Sequence, residues 1–201
     1  MVVIGVTGSL ASGKSEVARL LKKRGARVFD ADEAARLAVR KGKPAYRAIL
    51  KIFGRDFLSR NGELDRTKLA ARVFSKPRDL EKLNILIHPS VIFDALEMIE
   101  TLKKTQGILV LDVPLLFESR MENLADRTLV VTASRKTLLR RAAKKGIRPE
   151  LTSKILASQW PIQKKVRLAD FVISNDGTLA ELEKKVLQVL EKLQPPNKGD
   201  R

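Results

Sequence analysis

The stretch Gly8-Ser9-Leu10-Ala11-Ser12-Gly13-Lys14-Ser15 leaves this chain few folds to choose from. It fits the spacing G-x-x-x-x-G-K-[ST] and follows the apolar run Val2-Val3-Ile4-Gly5-Val6. Beyond it, Val17, Leu20 and Leu21 recur at intervals of three and four, and Lys22-Lys23-Arg24 lead into Gly25. These are the signals of a buried strand, a glycine-rich turn and a helix with one apolar stripe, a basic last turn against its negative end, and a glycine just past it. In that context the N–H groups of the turn, from Gly8 through Ala11, Ser12, Gly13 and Lys14 to Ser15 and Glu16, face inward on phosphate oxygens. Lys14 reaches the outer phosphates and the Ser15 hydroxyl takes Mg²⁺. The expected ligand is ATP or GTP.

The chain length of 201 residues suits one core with inserted subregions better than two independent domains. No run approaches the roughly 18 apolar residues of a membrane span, and Val2 to Val6 lack a basic leader, so a cytoplasmic protein with no membrane partner is expected. With no cysteine, the chain has no disulfide, zinc-thiolate site or cysteine nucleophile. Forty basic residues against twenty-three acidic ones give a net charge of +17, a field that attracts polyanions. The basic residues are dispersed, and with 4% aromatics there are few platforms for stacking bases. A nucleotide therefore fits the charge better than a nucleic acid does, and no nucleic-acid partner is expected.

Residues 26–30 read as a second strand closed by Asp30-Ala31-Asp32. Strand ends along one edge of an open α/β sheet are where ligands bind. One of these aspartates suits an N-cap for the helix begun by Glu33-Ala34-Ala35, and the other, with Asp32 preferred, suits a base that takes a proton from an attacking hydroxyl. Residues 36–105 are mostly helical by period and too long for a simple crossover, so they read as a helical acceptor-binding insert. Within it, His88-Pro89 reads as the start of a helix, with His88 structural. Residues 107–112 form an unbroken apolar run closed by Asp112, the pattern of a buried parallel strand with a metal-organising carboxylate at its tip. After a fourth strand at 128–132, Arg135, Lys136, Arg140, Arg141, Lys144, Lys145 and Arg148 occur with no acid among them. Placed behind a sheet strand and opening a helical hairpin, the run reads as a basic lid over transferring phosphate. Residues 170–174 read as a fifth strand. Thr178 with Glu181 forms a capping box for a last helix with Leu182, Val186, Val189 and Leu193 on one face, stopped by Pro195-Pro196. Residues 194–201 read as a flexible tail.

Taken together, these features resemble the dephospho-coenzyme A kinases. The likeness rests on Ile4-Gly5-Val6-Thr7-Gly8 with the loop, Asp30-Ala31-Asp32, Phe53-Gly54, Gly62-Glu63-Leu64-Asp65-Arg66, Ile87-His88-Pro89, Asp112-Val113-Pro114-Leu115-Leu116-Phe117-Glu118, Gln159, Ala169-Asp170 and Asn175. The resemblance implies a P-loop NTPase-like three-layer α/β/α fold with a five-stranded parallel sheet. Its core would comprise residues 1–35, 106–134 and 168–193, with the insert at 36–105 and the lid at 135–167. It implies phosphorylation of the ribose 3′-hydroxyl of dephospho-CoA by ATP with Mg²⁺. Asp32 would be the base, Lys14 and Arg141 would act on the phosphates, Ser15 and Asp112 would serve the metal, and Asn175 would neighbour the adenine. Ala11 stands where a glycine is common, Glu16 where threonine is, Leu138 where glutamine is, and Lys145 where arginine is. Lysine lacks arginine's bidentate fork, which weakens a catalytic assignment at position 145.

Overall fold

The computed structural model describes residues 1–193. Strands β1 (Val2–Gly8), β2 (Arg27–Asp30), β3 (Ile108–Asp112), β4 (Arg127–Thr132) and β5 (Phe171–Ser174) pair in the order β2-β3-β1-β4-β5. All four pairings are parallel. The sequence reading placed these strands to within a residue or two at each end. Because every strand runs the same way, their C-terminal ends share one edge, with Asp30 level with Asp112 and Val6 level with Asp112. Each segment singled out in the sequence leaves from that edge: the phosphate loop after β1, Asp32 after β2, the stretch 113–118 after β3, the basic hairpin after β4, and Asn175 after β5. The connections leave in opposite directions along the sheet from the neighbouring strands β1, which leads to β2 at one edge, and β3, which leads to β4 toward the other, and such a switch point opens a crevice.

Alternation along the strands sorts their side chains onto two faces. Ile4, Val6, Val110, Leu129, Val131 and Ile173 pack with α1 (Lys14–Lys23) and α9 (Leu179–Leu193). Val3, Leu109 and Leu111 pack on the other side with α2 (Ala31–Ala38) and α5 (Pro77–Leu102). This is the expected three-layer arrangement. The insert adds α3 (Pro44–Phe53) and α4 (Arg66–Val73), which share a separate apolar cluster with Tyr46, Ile49, Leu64 and Val73 at its centre. The basic run occupies α6 (Arg135–Lys144) and the turn after it, and α6 packs against α7 (Pro149–Ser158) as the expected hairpin. A further helix, α8 (Ile162–Leu168), lies against β4.

His88 does not start a helix. Pro89 lies inside α5, which begins instead at Pro77. A proline costs an interior helix the bond from its own nitrogen to the carbonyl four residues back, here Ile85. Both Pro89 and Ile85 are on the exposed face, where water can satisfy that carbonyl. The last helix is capped as read: the Thr178 N–H donates to Glu181 Oε2 at 2.7 Å, and Glu181 N–H donates to Thr178 Oγ1 at 3.3 Å. Pro195-Pro196 and the 194–201 tail lie outside the described residues.

Candidate active site

The loop between β1 and α1 is held open by its backbone conformation. Gly13 takes φ 99°, and a Cβ there would run into the Asn175 amide. Ala11 takes φ 62°. A left-handed alanine costs roughly 1–2 kcal/mol, which gives a physical reason for a glycine preference at this position. The N–H groups of Lys14 and Ser15 head α1 and have no acceptor within the helix, so they and the positive end of the helix point at whatever occupies the loop. From the far side, Asn175 Nδ2 donates to the Ser12 carbonyl at 2.8 Å and Arg141 Nη1 donates to the same oxygen at 3.2 Å. Helix α6 and the end of β5 thereby meet on one atom of the phosphate loop. Ser12 Oγ is buried without a hydrogen-bond partner among the described residues.

A cleft of about 680 Å³ opens over this loop. Gly8, Ala11, Ser12, Gly13, Lys14, Ser15 and Glu16 line it together with Asp32, Arg141 and Asn175. Lys144, Lys145, Leu179 and Leu182 also line it. Asp112 is the one proposed site residue that does not line it. The residue is 3% exposed, and its carboxylate forms an ion pair with the Lys14 ammonium. Burial pushes the Asp112 carboxyl above its ordinary range, the Lys14 charge opposes this, and the neighbouring Asp30 and Asp32 charges add to it. The same ion pair holds the Lys14 ammonium against Asp112 at the edge of the cleft that Lys14 lines.

The cap that the sequence left open between Asp30 and Asp32 falls to Asp30, the last residue of β2. Asp30 caps α2, accepting from Asp32 N at 2.9 Å and Glu33 N at 3.0 Å through Oδ1. Asp32, one step into the helix, keeps its side chain exposed.

A second cleft of about 540 Å³ lies between α2, α4, α5 and the 113–119 wall. Its walls are mainly apolar, among them Val39, Leu69, Leu83 and Val91, and Arg36, Arg66 and His88 line it as well. Among the described residues four line both clefts: Leu10, Asp32, Pro114 and Gln159. Gln159 Oε1 accepts from Leu10 N–H at 3.3 Å, and Thr7 Oγ1 donates to the Pro114 carbonyl at 3.0 Å, so this border is tied to β1 and its loop. The sequence reading put Lys144 in the basic run over the phosphates and Pro114 in the stretch after Asp112, but it missed that Leu10 and Pro114 stand where the two clefts meet. His88 lines the second cleft and is half-buried, and that burial lowers its pKa.

Comparison with known proteins follows the same outline. The family model for dephospho-CoA kinase matches residues 2–181. A dephospho-CoA kinase from Geobacillus kaustophilus is 42% identical over 190 residues, 94% of either chain. Among solved structures, a Thermus thermophilus protein is 34% identical with a TM-score of 0.77, covering 96% of this chain and 98% of its own. A dephospho-CoA kinase from Campylobacter jejuni is 26% identical with a TM-score of 0.69, covering 95% of this chain and 96% of its own. With the phosphate loop, the paired clefts and a family match over most of its length, the chain belongs to the dephospho-CoA kinase family.

Proposed function

We propose that the border between the two clefts is where this ATP-dependent kinase transfers a phosphoryl group to the ribose 3′-hydroxyl of dephospho-CoA. One observation carries the reading: Asp32, exposed and unburdened by the capping that occupies Asp30, lines both the phosphate cleft and the apolar cleft. A carboxylate in that position can take a proton from a hydroxyl in one cleft as it attacks phosphorus in the other.

The triphosphate of ATP lies along residues 8–15, with Lys14 leaving Asp112 for the outer phosphates and Arg141 approaching from the lid. The 3′-oxygen forms its bond to the γ-phosphorus as the bond to the β–γ bridging oxygen breaks. ADP leaves and the hydroxyl proton passes to Asp32. Lys14 and Arg141 face the charge that spreads over the equatorial oxygens, the main task in such transfers. Asn175, on the Ser12 carbonyl, holds the loop in shape beside the adenine end of the cleft.

Among the described residues no group of three or more carboxylate or histidine side chains could cage a metal. An exposed Ser15 hydroxyl at a phosphate loop suits Mg²⁺, which takes few protein oxygens and completes its shell with phosphate and water. Ser15, with Asp112 through water, would hold it, and bound there it would neutralise phosphate charge.

In the second cleft, the apolar walls suit the pantetheine arm. Arg36 lies one helical turn from Asp32, about 6 Å along the same face, and Arg66 Nη2 donates to the Arg36 carbonyl at 3.3 Å. A ribose with its 3′-hydroxyl at Asp32 would present its 5′-pyrophosphate to these two cations. Residues 1–35, 106–134 and 168–193 then act as the nucleotide-binding core, 36–105 as the acceptor insert and 135–167 as the lid. An ATP-consuming biosynthetic step of this kind belongs in the cytoplasm. Among the described residues no helix is long and apolar enough to cross a membrane.

Incubation with ATP, Mg²⁺ and dephospho-CoA, followed by mass and NMR analysis, should give ADP and a product one phosphate heavier, esterified at the ribose 3′ position. Phosphate on another hydroxyl, or turnover only of nucleosides, nucleotides or shikimate, would overturn the assignment.

A further inference from the structure

Lys165 sits in α8, behind the partition between the clefts, and is 1% exposed. A lysine ammonium withdrawn so far from water is costly unless paired and hydrogen-bonded. Its Nζ lies 2.8 Å from Glu118 Oε1 and donates to the Pro114 carbonyl at 3.1 Å. Pro114 lines both clefts and Glu118 lines the acceptor cleft, so one buried cation grips both ends of the wall that separates them. The same Pro114 carbonyl accepts from Thr7 Oγ1 at the end of β1, where the phosphate loop begins. Glu118 Oε1 also accepts from the Trp160 N–H at 2.9 Å, and the Lys164 ammonium stands 3.3 Å from the centre of the Trp160 ring. The second Glu118 oxygen is buried with no partner among the described residues, so the held carboxylate depends on Lys165 and the Trp160 amide.

Resting on the kinase reading above, we infer that Lys165 is a positioning residue for phosphoryl transfer. It fixes the Pro114–Glu118 wall from behind, and so sets how the acceptor hydroxyl at Asp32 faces the phosphate held by the loop. It touches neither substrate. Its loss should lower the rate of the transfer step more than the affinity for either substrate, because transfer is sensitive to misplacement of about 1 Å and binding is not.

The test compares Lys165→Met, which leaves Glu118 buried without its cation, with Lys165→Met/Glu118→Gln, which removes both charges. Thermal unfolding, kcat and the KM for ATP and dephospho-CoA are measured for each beside wild type. The expected result is that Lys165→Met unfolds at lower temperature and loses about 30-fold or more in kcat, with both KM values within about threefold. The double variant should recover most of its thermal stability while kcat stays low, since neutral glutamine and methionine cannot restore the grip on Pro114. Recovery of kcat together with stability assigns the pair to the fold alone and overturns the proposal. So does unchanged kcat in both variants, failure of both to fold, or a loss confined to KM. A wild type without turnover of dephospho-CoA sinks the kinase reading and this proposal with it, whereas an active wild type beside active variants sinks the proposal alone.

Discussion

The phosphate cleft and the acceptor cleft are of similar size and share a border, but they are built in opposite ways. The first is built around one short continuous stretch, residues 8–16, to which Asp32, Arg141, Lys144, Lys145 and Asn175 are brought from elsewhere. The second is made of side chains from α2, α4, α5 and the 113–119 wall, dozens of residues apart in the chain. A phosphate can be gripped by N–H groups, which every residue but proline carries, so what the sequence must specify is loop shape, and glycines at fixed spacing do that. A mixed ligand with an apolar arm and an anionic middle needs pockets of particular side chains. Those can be assembled from anywhere the fold brings together. The contrast makes separable claims: damage to the border should cost turnover, damage to one cleft should cost affinity for one substrate, and the other substrate should be indifferent.

The largest effect is expected at the border itself. Asp32→Asn removes the proposed proton acceptor while keeping size and polarity, and general-base catalysis contributes about 10²- to 10⁴-fold. Turnover should fall by about 10³-fold, with ATP affinity measured by calorimetry changing no more than about twofold. Unchanged turnover would strike Asp32 from the role of base. A matching loss of ATP affinity would instead mean that the two clefts are not separable at this residue.

Next in size is a change confined to the acceptor side. Each hydrogen bond to a charged group contributes about 1.5–3 kcal/mol when well formed, less at an exposed site. Arg36 and Arg66 are both exposed, so Arg36→Ala/Arg66→Ala should raise the KM for dephospho-CoA about tenfold or somewhat more. The KM for ATP should be unaffected. An equal rise in both KM values would show that the cations act as a general field rather than at the acceptor pyrophosphate.

This division also explains what could be read before any coordinates. The five strands, the helix after the loop, the capping box at Thr178 and the basic hairpin were all legible because each is written in local periodicity and turn chemistry. Which of Asp30 and Asp32 caps the helix was not, since both stand where a cap can; the geometry gave the cap to Asp30. His88 was misplaced because proline favours a helix start, while the exposed face that tolerates it inside α5 depends on tertiary packing. Lys165 reads as one of many surface lysines beside Lys164, and only the fold shows it withdrawn to 1% exposure against Glu118. Arg36 and Arg66 sit in ordinary helical sequence, and their convergence exists only in three dimensions.

A smaller effect belongs to the phosphate side. Asn175→Ala takes one of the two donors from the Ser12 carbonyl and leaves Arg141. A neutral hydrogen bond contributes about 1 kcal/mol net, so ATP affinity should weaken about fivefold while the KM for dephospho-CoA holds. If Asn175 also contacts adenine, the loss should be larger for ATP than for inorganic triphosphate, and binding of the two ligands measured side by side separates loop support from base contact.

The finest probe is the chain's single histidine, which lies in the acceptor cleft. Burial lowers the His88 pKa below its ordinary value near 6.5. The neutral imidazole is therefore the form the fold prefers. As pH falls through the ordinary histidine range, the unfolded chain takes up a proton before the folded one does, so stability present above that range is lost on acidification until the folded His88 also charges. His88→Gln should flatten this part of the stability–pH curve, and wild-type imidazole resonances should titrate below about 6.5. Adding dephospho-CoA should shift those resonances and adding ATP should not, because only one of the two clefts contains the ring. A response to ATP alone would mean that the acceptor cleft is coupled to, or misassigned from, its neighbour.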